Sequence, residues 1–348
     1  MIEDGKDSAL FSSAIFGVQF CWASTELPSV PSHETQQTMK LFQSSGLSLK
    51  AIKPIHFKLE REIQQLVEAN TELLFGLTLV QSELKVENRR FDSLCFDEET
   101  NSFVIIEYKK GASYSVIDQG YTYLSLLLQN KADILLEYNE TLDKQLKRDE
   151  IDWSQTRIIF VSPKFTAFQR MSVNFKNLPF ELYEIEAYSD GLVGLTAITT
   201  DSDVDINSVA PVAGQDNVVS KVSKEVIRYD EDFHLYGNKT RPQWVVDFYF
   251  ELKDRILELG PSVELKIKKQ TIGFHCDQSV CDVIIFNKGI SIVINLKKGQ
   301  LNDPLNLCSD MSERGHWGNG DYKLAMYDNE NLEYAISMVK QSLHDKLK

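Results

Sequence analysis

A chain of 348 residues exceeds what one ordinary core accommodates and has room for two domains. With 43% hydrophobic and 25% charged residues it has the composition of a soluble globular protein, and no apolar run is long enough to cross a bilayer. The formal net charge of −14 argues against a general polyanion binder, because phosphate contacts are normally made by Lys and Arg, but it is compatible with carboxylates that hold divalent cations beside a local basic strip.

Residues 1–38 show no sustained period and end in a polar, proline-punctuated stretch, Leu27-Pro-Ser-Val-Pro-Ser-His33, which reads as a poorly ordered extension. Met39 is a candidate natural start. The mildly apolar segment from Ala9 to Ala23 follows an acidic leader where a signal peptide would be basic, so the expected location is the cytoplasm. Five cysteines without a C-x-x-C pair fit a reducing interior, and the spacing of His275, Cys276, Cys281, Cys308 and His316 matches no usual zinc pattern.

From Phe57 the apolar residues Leu59, Ile63, Leu66, Val67, Leu73 and Leu74 recur at helical spacing, and Asn70 and Gly76 mark its end. Strand-like runs follow at 77–86, 90–96 and 103–109, with a turn through Asp97–Ser102 between the last two. Ser115 to Gln129 reads as a largely apolar helix, and an acidic helical stretch continues to about Glu150. Arg157–Val161 and Phe180–Ile185 are short runs of buried-strand type. These elements predict an α/β domain over 39–198 with a mixed sheet. Residues 199–223 are acidic and polar and read as a linker. Beyond it, a helix over 243–259, strands near 262–268, 271–275, 280–286 and 290–296, a Gly-rich loop at 315–322, a short strand and a closing helix over 330–346 predict a smaller α+β domain, 224–348, with an antiparallel sheet.

Within the first domain three residues stand at a chemically suggestive spacing. Asp92 lies near the start of one strand, and Glu107 and Lys109, two apart on another, point to the same face while Tyr108 points away. Fourteen residues separate Asp92 from Glu107, enough for a hairpin turn and its return strand. Glu107 ends the apolar run Val104-Ile105-Ile106, where a carboxylate is costly to bury unless paired or metal-bound. Two carboxylates and a lysine in that arrangement suit metal-assisted phosphodiester hydrolysis. The plain alternative is the wet end of a half-exposed strand.

Asp92-x14-Glu107-x-Lys109, an upstream helix carrying Glu60 and Glu62 and running to Asn70, and a downstream helix with Gln119 and Tyr123 together resemble the PD-(D/E)XK nuclease superfamily, in its branch near the archaeal-type mismatch endonucleases. The resemblance covers about residues 57–190. It implies a restriction-endonuclease-like mixed sheet flanked by helices, and a Mg²⁺- or Mn²⁺-dependent deoxyribonuclease of repair, restriction or defence. Asp92 and Glu107 would ligate the metal, Lys109 would position the attacking water, and Glu62 would complete the metal shell, with Glu60 its rival. Gln119 would hydrogen-bond near the site, and Tyr123 reads as core packing. Arg89, Arg90, Lys109 and Lys110 are the candidate phosphate contacts, or simply solvated cations. Phe91 stands where many members have Pro or Val, and the acidic stretch 137–150 offers no basic channel for duplex DNA.

The second domain resembles an uncharacterised α+β module found fused to such nucleases and sometimes labelled a predicted transport protein, through Ile294–Gln300 and Gly315–Tyr322. Lys297, Lys298, His316, Trp317 and Tyr322 could present a basic-aromatic surface to nucleic acid, against the simpler reading that Trp317 packs and the glycines turn the chain. The expected partner is DNA, and a homodimer would suit cutting of both strands. The rival reading is a catalytically weak nuclease fold that binds nucleic acid or a partner.

Overall fold

The computed structural model describes residues 40–111, 116–175, 178–199, 202, 204, 218–237, 241–313 and 318–348. The chain forms two compact units that meet in sequence at Ala51 and Ile52. The described part of the first is a hairpin of β1 (Leu41–Ser45) and β2 (Ser48–Ile52), all but the last residue of β2 lying in it, turned at Gly46 in the left-handed region (φ 60°). The expected extension over 1–38 lies outside the described residues.

The second unit holds two sheets. The first begins with β3 (Pro54–Ile55), α1 (Glu60–Glu68) and α2 (Thr71–Phe75). The helical period from Leu59 to Leu74 is interrupted at Ala69-Asn70, where the Asn70 amide donates to the carbonyl of Leu66 at 2.8 Å. The break shifts the phase: Ile63 and Val67 are buried, while Leu73 is 81% exposed. Gly76 closes α2 in the left-handed conformation, the common glycine ending of a helix.

Next come β4 (Thr78–Val86), β5 (Arg89–Asp97), β6 (Ser102–Tyr108), α3 (Val116–Gln129), α4 (Lys131–Leu142), β7 (Arg157–Ser162), α5 (Ala167–Ser172), β8 (Phe180–Tyr188) and β9 (Val193–Ile198). The strands order β3-β8-β7-β6-β5-β4, with β9 also pairing β8. The β4–β5–β6 meander is antiparallel, whereas β6, β7 and β8 run parallel, as helical crossovers require. This is the expected mixed sheet flanked by helices. Alternation along β6 divides the core. Val104, Ile106 and Tyr108 face Ile63 and Val67 of α1, and Phe103 and Ile105 face Leu124 and Leu127 of α3.

The helix α6 (Val218–Glu225) falls partly within the expected linker, yet Val222 joins the α3-side core and Val226, just past its end, joins the same core. The second sheet follows α7 (Glu231–Tyr236) and α8 (Gln243–Leu257). It comprises β10 (Glu264–Ile267), β11 (Ile272–Cys276), β12 (Gln278–Phe286), β13 (Gly289–Ile294), β14 (Cys308–Asp310) and β15 (Tyr322–Met326), all antiparallel in the order β10-β11-β12-β13-β15-β14. Helix α9 (Leu332–Lys346) and α8 pack over it through Val339, Leu343, Tyr249 and Leu252. The two sheets touch at the β5–β6 turn, where Glu99 meets Lys266, Lys268 and Asn319.

Candidate active site

The register of the meander places the first two residues of the site. Ser93 pairs with Ile106, so one step further Asp92 stands opposite Glu107 on the face that carries Phe103 and Ile105. No backbone pair is made at that step, and the Asp92 carboxylate instead accepts the peptide N–H of Tyr108 at 3.1 Å. Glu107 is 3% exposed. Its Oε1 accepts from Lys109 Nζ at 2.8 Å and from Gln119 Nε2 of α3 at 2.5 Å, whereas its Oε2 is buried with no hydrogen-bond partner. Asp92, Glu107, Lys109 and Gln119 therefore come together.

Electrostatics set this cluster apart from an ordinary ion pair. Burial, reinforced by Asp92, pushes the Glu107 carboxyl up to about 7 against the pull of Lys109 and Gln119. Burial also raises Asp92, with the Tyr108 N–H and Lys109 opposing and Glu83 and Glu60 adding to the rise. Two raised carboxylates in a desolvated corner, one lifted further by the charge of the other, are what a cation would relieve.

The two helix carboxylates, both exposed, take different partners. Glu62 is exposed and accepts the Lys58 N–H at 2.6 Å, closing the first turn of its own helix. Glu60 instead accepts the peptide N–H of Lys110 at 2.9 Å, at the end of β6. Lys110 is exposed and its Nζ donates to the carbonyl of Lys58. Arg90 is exposed and paired with Glu83 at 2.7 Å, and Arg89 is exposed. Tyr123 packs against Phe91, ring centroids 5.2 Å apart, in the core beside the site. Two neighbours escaped sequence reasoning: Gln64, whose amide reaches the Asp92 carbonyl, and Glu83, which lies opposite Asp92 in the left-handed region (φ 57°). Sheet register reveals Glu83, and the docking of α1 on the sheet reveals Gln64.

In the second sheet, His316 and Trp317 lie outside the described residues. Lys298 pairs with Asp310 at 2.9 Å and Lys297 lies 3.9 Å from Asp321, while the Tyr322 hydroxyl accepts the Gly299 N–H. Asn319 points into the seam between the sheets, toward Glu99.

Among the described residues no group of three His, Cys, Asp or Glu side chains is disposed to hold a metal ion. Mg²⁺ asks for less, since it is commonly held by one or two carboxylates with waters completing the octahedron. The partnerless Glu107 Oε2 beside Asp92 fits that requirement.

No family model matches the sequence. A protein of Haemophilus influenzae described as an uncharacterized protein is 41% identical over 307 residues, 88% of this chain and all of that one. The chain belongs to its family. Among solved structures, a repair endonuclease from Pyrococcus abyssi is 20% identical with a TM-score of 0.26, matching 37% of this chain and 49% of that one. An EndoMS–dsDNA2 complex is 19% identical with a TM-score of 0.26, matching 37% of this chain and 47% of that one. The match thus spans about half the length of these structures.

Proposed function

We propose that the chain is a divalent-metal-dependent nuclease of the PD-(D/E)XK type acting on DNA, with Asp92, Glu107 and Lys109 at its centre. The observation that carries this reading is the buried, partnerless Oε2 of Glu107, whose carboxyl is raised by the charge of Asp92, itself raised, with a lysine held on the other oxygen. Asp92 and Glu107 would hold Mg²⁺ or Mn²⁺, and Glu60, turned toward the same strand end, fits a supporting role better than Glu62 does. A divalent cation in such a site supplies Lewis-acid stabilisation of the charge that builds on the phosphoryl oxygens and acidifies water.

The chain's own residues do the rest. Gln119 fixes Glu107 Oε1 from the helix side and leaves Oε2 without a protein partner. Lys109, with its side chain 13% exposed, keeps its ammonium at the edge of the cluster, where it orients the attacking water and offsets negative charge. The apolar floor of Phe91, Ile105 and Tyr123 excludes bulk water and strengthens each of these interactions.

Cleavage of labelled single-stranded, duplex and branched DNA in Mg²⁺ or Mn²⁺ tests the proposal. Wild type should cut, and Glu107→Ala and Lys109→Ala should each lose about 10²-fold or more in rate, the usual cost of removing a group that stabilises transition-state charge. Cutting that survives both substitutions would assign it to a contaminant and sink the site.

A further inference from the structure

Asp92 occupies a gap in the sheet. Toward β4, Ser82 pairs with Ser93 and Leu84 with Phe91, but the step between them, Glu83 with Asp92, makes no pair because Glu83 adopts φ 57°. Toward β6 the pairing begins only at Ser93 and Ile106. The peptide of Asp92 is thus outside the ladder on both sides, and a carboxylate so placed needs another anchor if it is to hold one position beside Glu107.

Gln64, from α1, supplies it. Its Nε2 lies 3.3 Å from the Asp92 carbonyl oxygen, 3.1 Å from Glu83 Oε1, 3.3 Å from Ser82 Oγ and 3.0 Å from Glu68 Oε1. An environment of four oxygens suits only the NH₂ end of the amide, which fixes its orientation. Glu68 in turn accepts from Ser93 Oγ at 2.7 Å, and Ser93 Oγ meets the Tyr108 hydroxyl at 2.9 Å. One amide therefore ties the helix, the irregular strand and both sides of the site strand together behind the carboxylates.

We propose that Gln64 is the positioning residue of Asp92, holding its peptide so that the carboxylate stays on the Tyr108 N–H and beside Glu107. The consequence for catalysis rests on the reading of Asp92 and Glu107 as the metal-binding pair; the positioning itself does not. Gln64→Met keeps the length and apolar body of the side chain and removes its donors, and Gln64→Lys restores an N–H donor of similar reach.

The test is amide hydrogen exchange of metal-free protein followed by NMR, with Mn²⁺ titration of the same variants. In Gln64→Met the Tyr108 amide should exchange about tenfold faster, while the Ile105 amide, in the paired part of the same strand, stays within about twofold. Gln64→Lys should return Tyr108 toward the wild-type rate, and Mn²⁺ affinity should fall about tenfold in Gln64→Met. Tyr108 exchange unchanged in Gln64→Met, or as fast in Gln64→Lys as in Gln64→Met, overturns the proposal. A wild type that binds no Mn²⁺ while Tyr108 still responds to Gln64→Met removes the metal reading and upholds the positioning; Mn²⁺ binding with an unmoved Tyr108 does the reverse.

Discussion

Glu107 stands between two opposing demands. Its strand buries it, and its neighbours leave one oxygen without a partner, so its ionised form is disfavoured in the folded protein. The sign of the resulting pH dependence follows from the shift from 4.5 to about 7. Below pH 4.5 the group is protonated folded or unfolded and adds nothing. Between 4.5 and 7 the unfolded chain gives up the proton first, so stability falls as pH rises, and above 7 the whole penalty stands. In metal-free buffer Glu107→Gln should therefore be more stable than wild type by about 1–3 kcal/mol at pH 8, with no such advantage near pH 4. Denaturant midpoints at the two pH values check this. Equal stability at pH 8 would mean that Lys109 and Gln119 already compensate the buried charge.

The element that brings Gln119 to Glu107 is α3, and its seating depends on the residue that follows. Gly120 lies against the Phe180 ring of β8, so close that a Cβ on residue 120 would fall 2.5 Å from the ring carbon Cζ. The backbone there is ordinary helix, so the requirement is for space and not for conformational freedom. Gly120→Ala gains helix propensity but overpacks this contact, and the second effect should win by about 1–3 kcal/mol. Phe180→Leu in the same chain should recover part of the loss, because the clash is with one side chain and not with backbone. Urea unfolding of the single and double variants measures both. A Gly120→Ala protein as stable as wild type would show that the ring moves aside freely.

Across the whole molecule, the β5–β6 turn forms the seam between the sheets. Asp97, fully buried, pairs with Arg157 at 3.0 Å, which itself meets Glu181 at 3.1 Å. Two residues further on, Glu99 takes Lys266 at 2.9 Å, Lys268 at 3.4 Å and the Asn319 amide at 2.8 Å from the second sheet. His275 lies in the same seam with Glu99, Lys266, Lys268 and Asp282 around it. Burial presses its imidazole down to about 4, with the lysines adding and the two acids opposing. Unfolded, it would titrate near 6.5, so between these values the unfolded chain holds a proton that the folded one refuses. Stability should then fall as pH drops from 6.5 toward 4, by up to about 1.4 kcal/mol per pH unit from this group. His275→Gln should remove this contribution between about pH 5 and 6.5, and the comparison is made in a Glu107→Gln background because Glu107 titrates across the same window with the opposite sign. An unchanged slope in thermal or urea unfolding would place the titration elsewhere.

Much of this protein was legible in its residues. The apolar run at 103–106 ending in Glu107 fixes a buried strand with a carboxylate at its tip, and period-two alternation alone puts Glu107 and Lys109 on one face and Tyr108 on the other. The mixed sheet and the antiparallel second sheet also followed, since strand runs and their turns are local signals. Other features had no local signal. The strand β9, half-exposed with Gly194 and Thr196 in it, and the short helices α5, α6 and α7 form because partners hold them, as Val222 does against the α3-side core. Helix phase left Glu60 and Glu62 equivalent, and only the approach of α1 to the end of β6 distinguishes them. Gln64, Glu83 and Glu99 are unremarkable polar residues until helix docking, strand register and the packing of the two sheets set them against Asp92 and the second sheet. Sequence encodes what each segment buries and which way its side chains point, whereas register and docking decide which distant polar groups share a site.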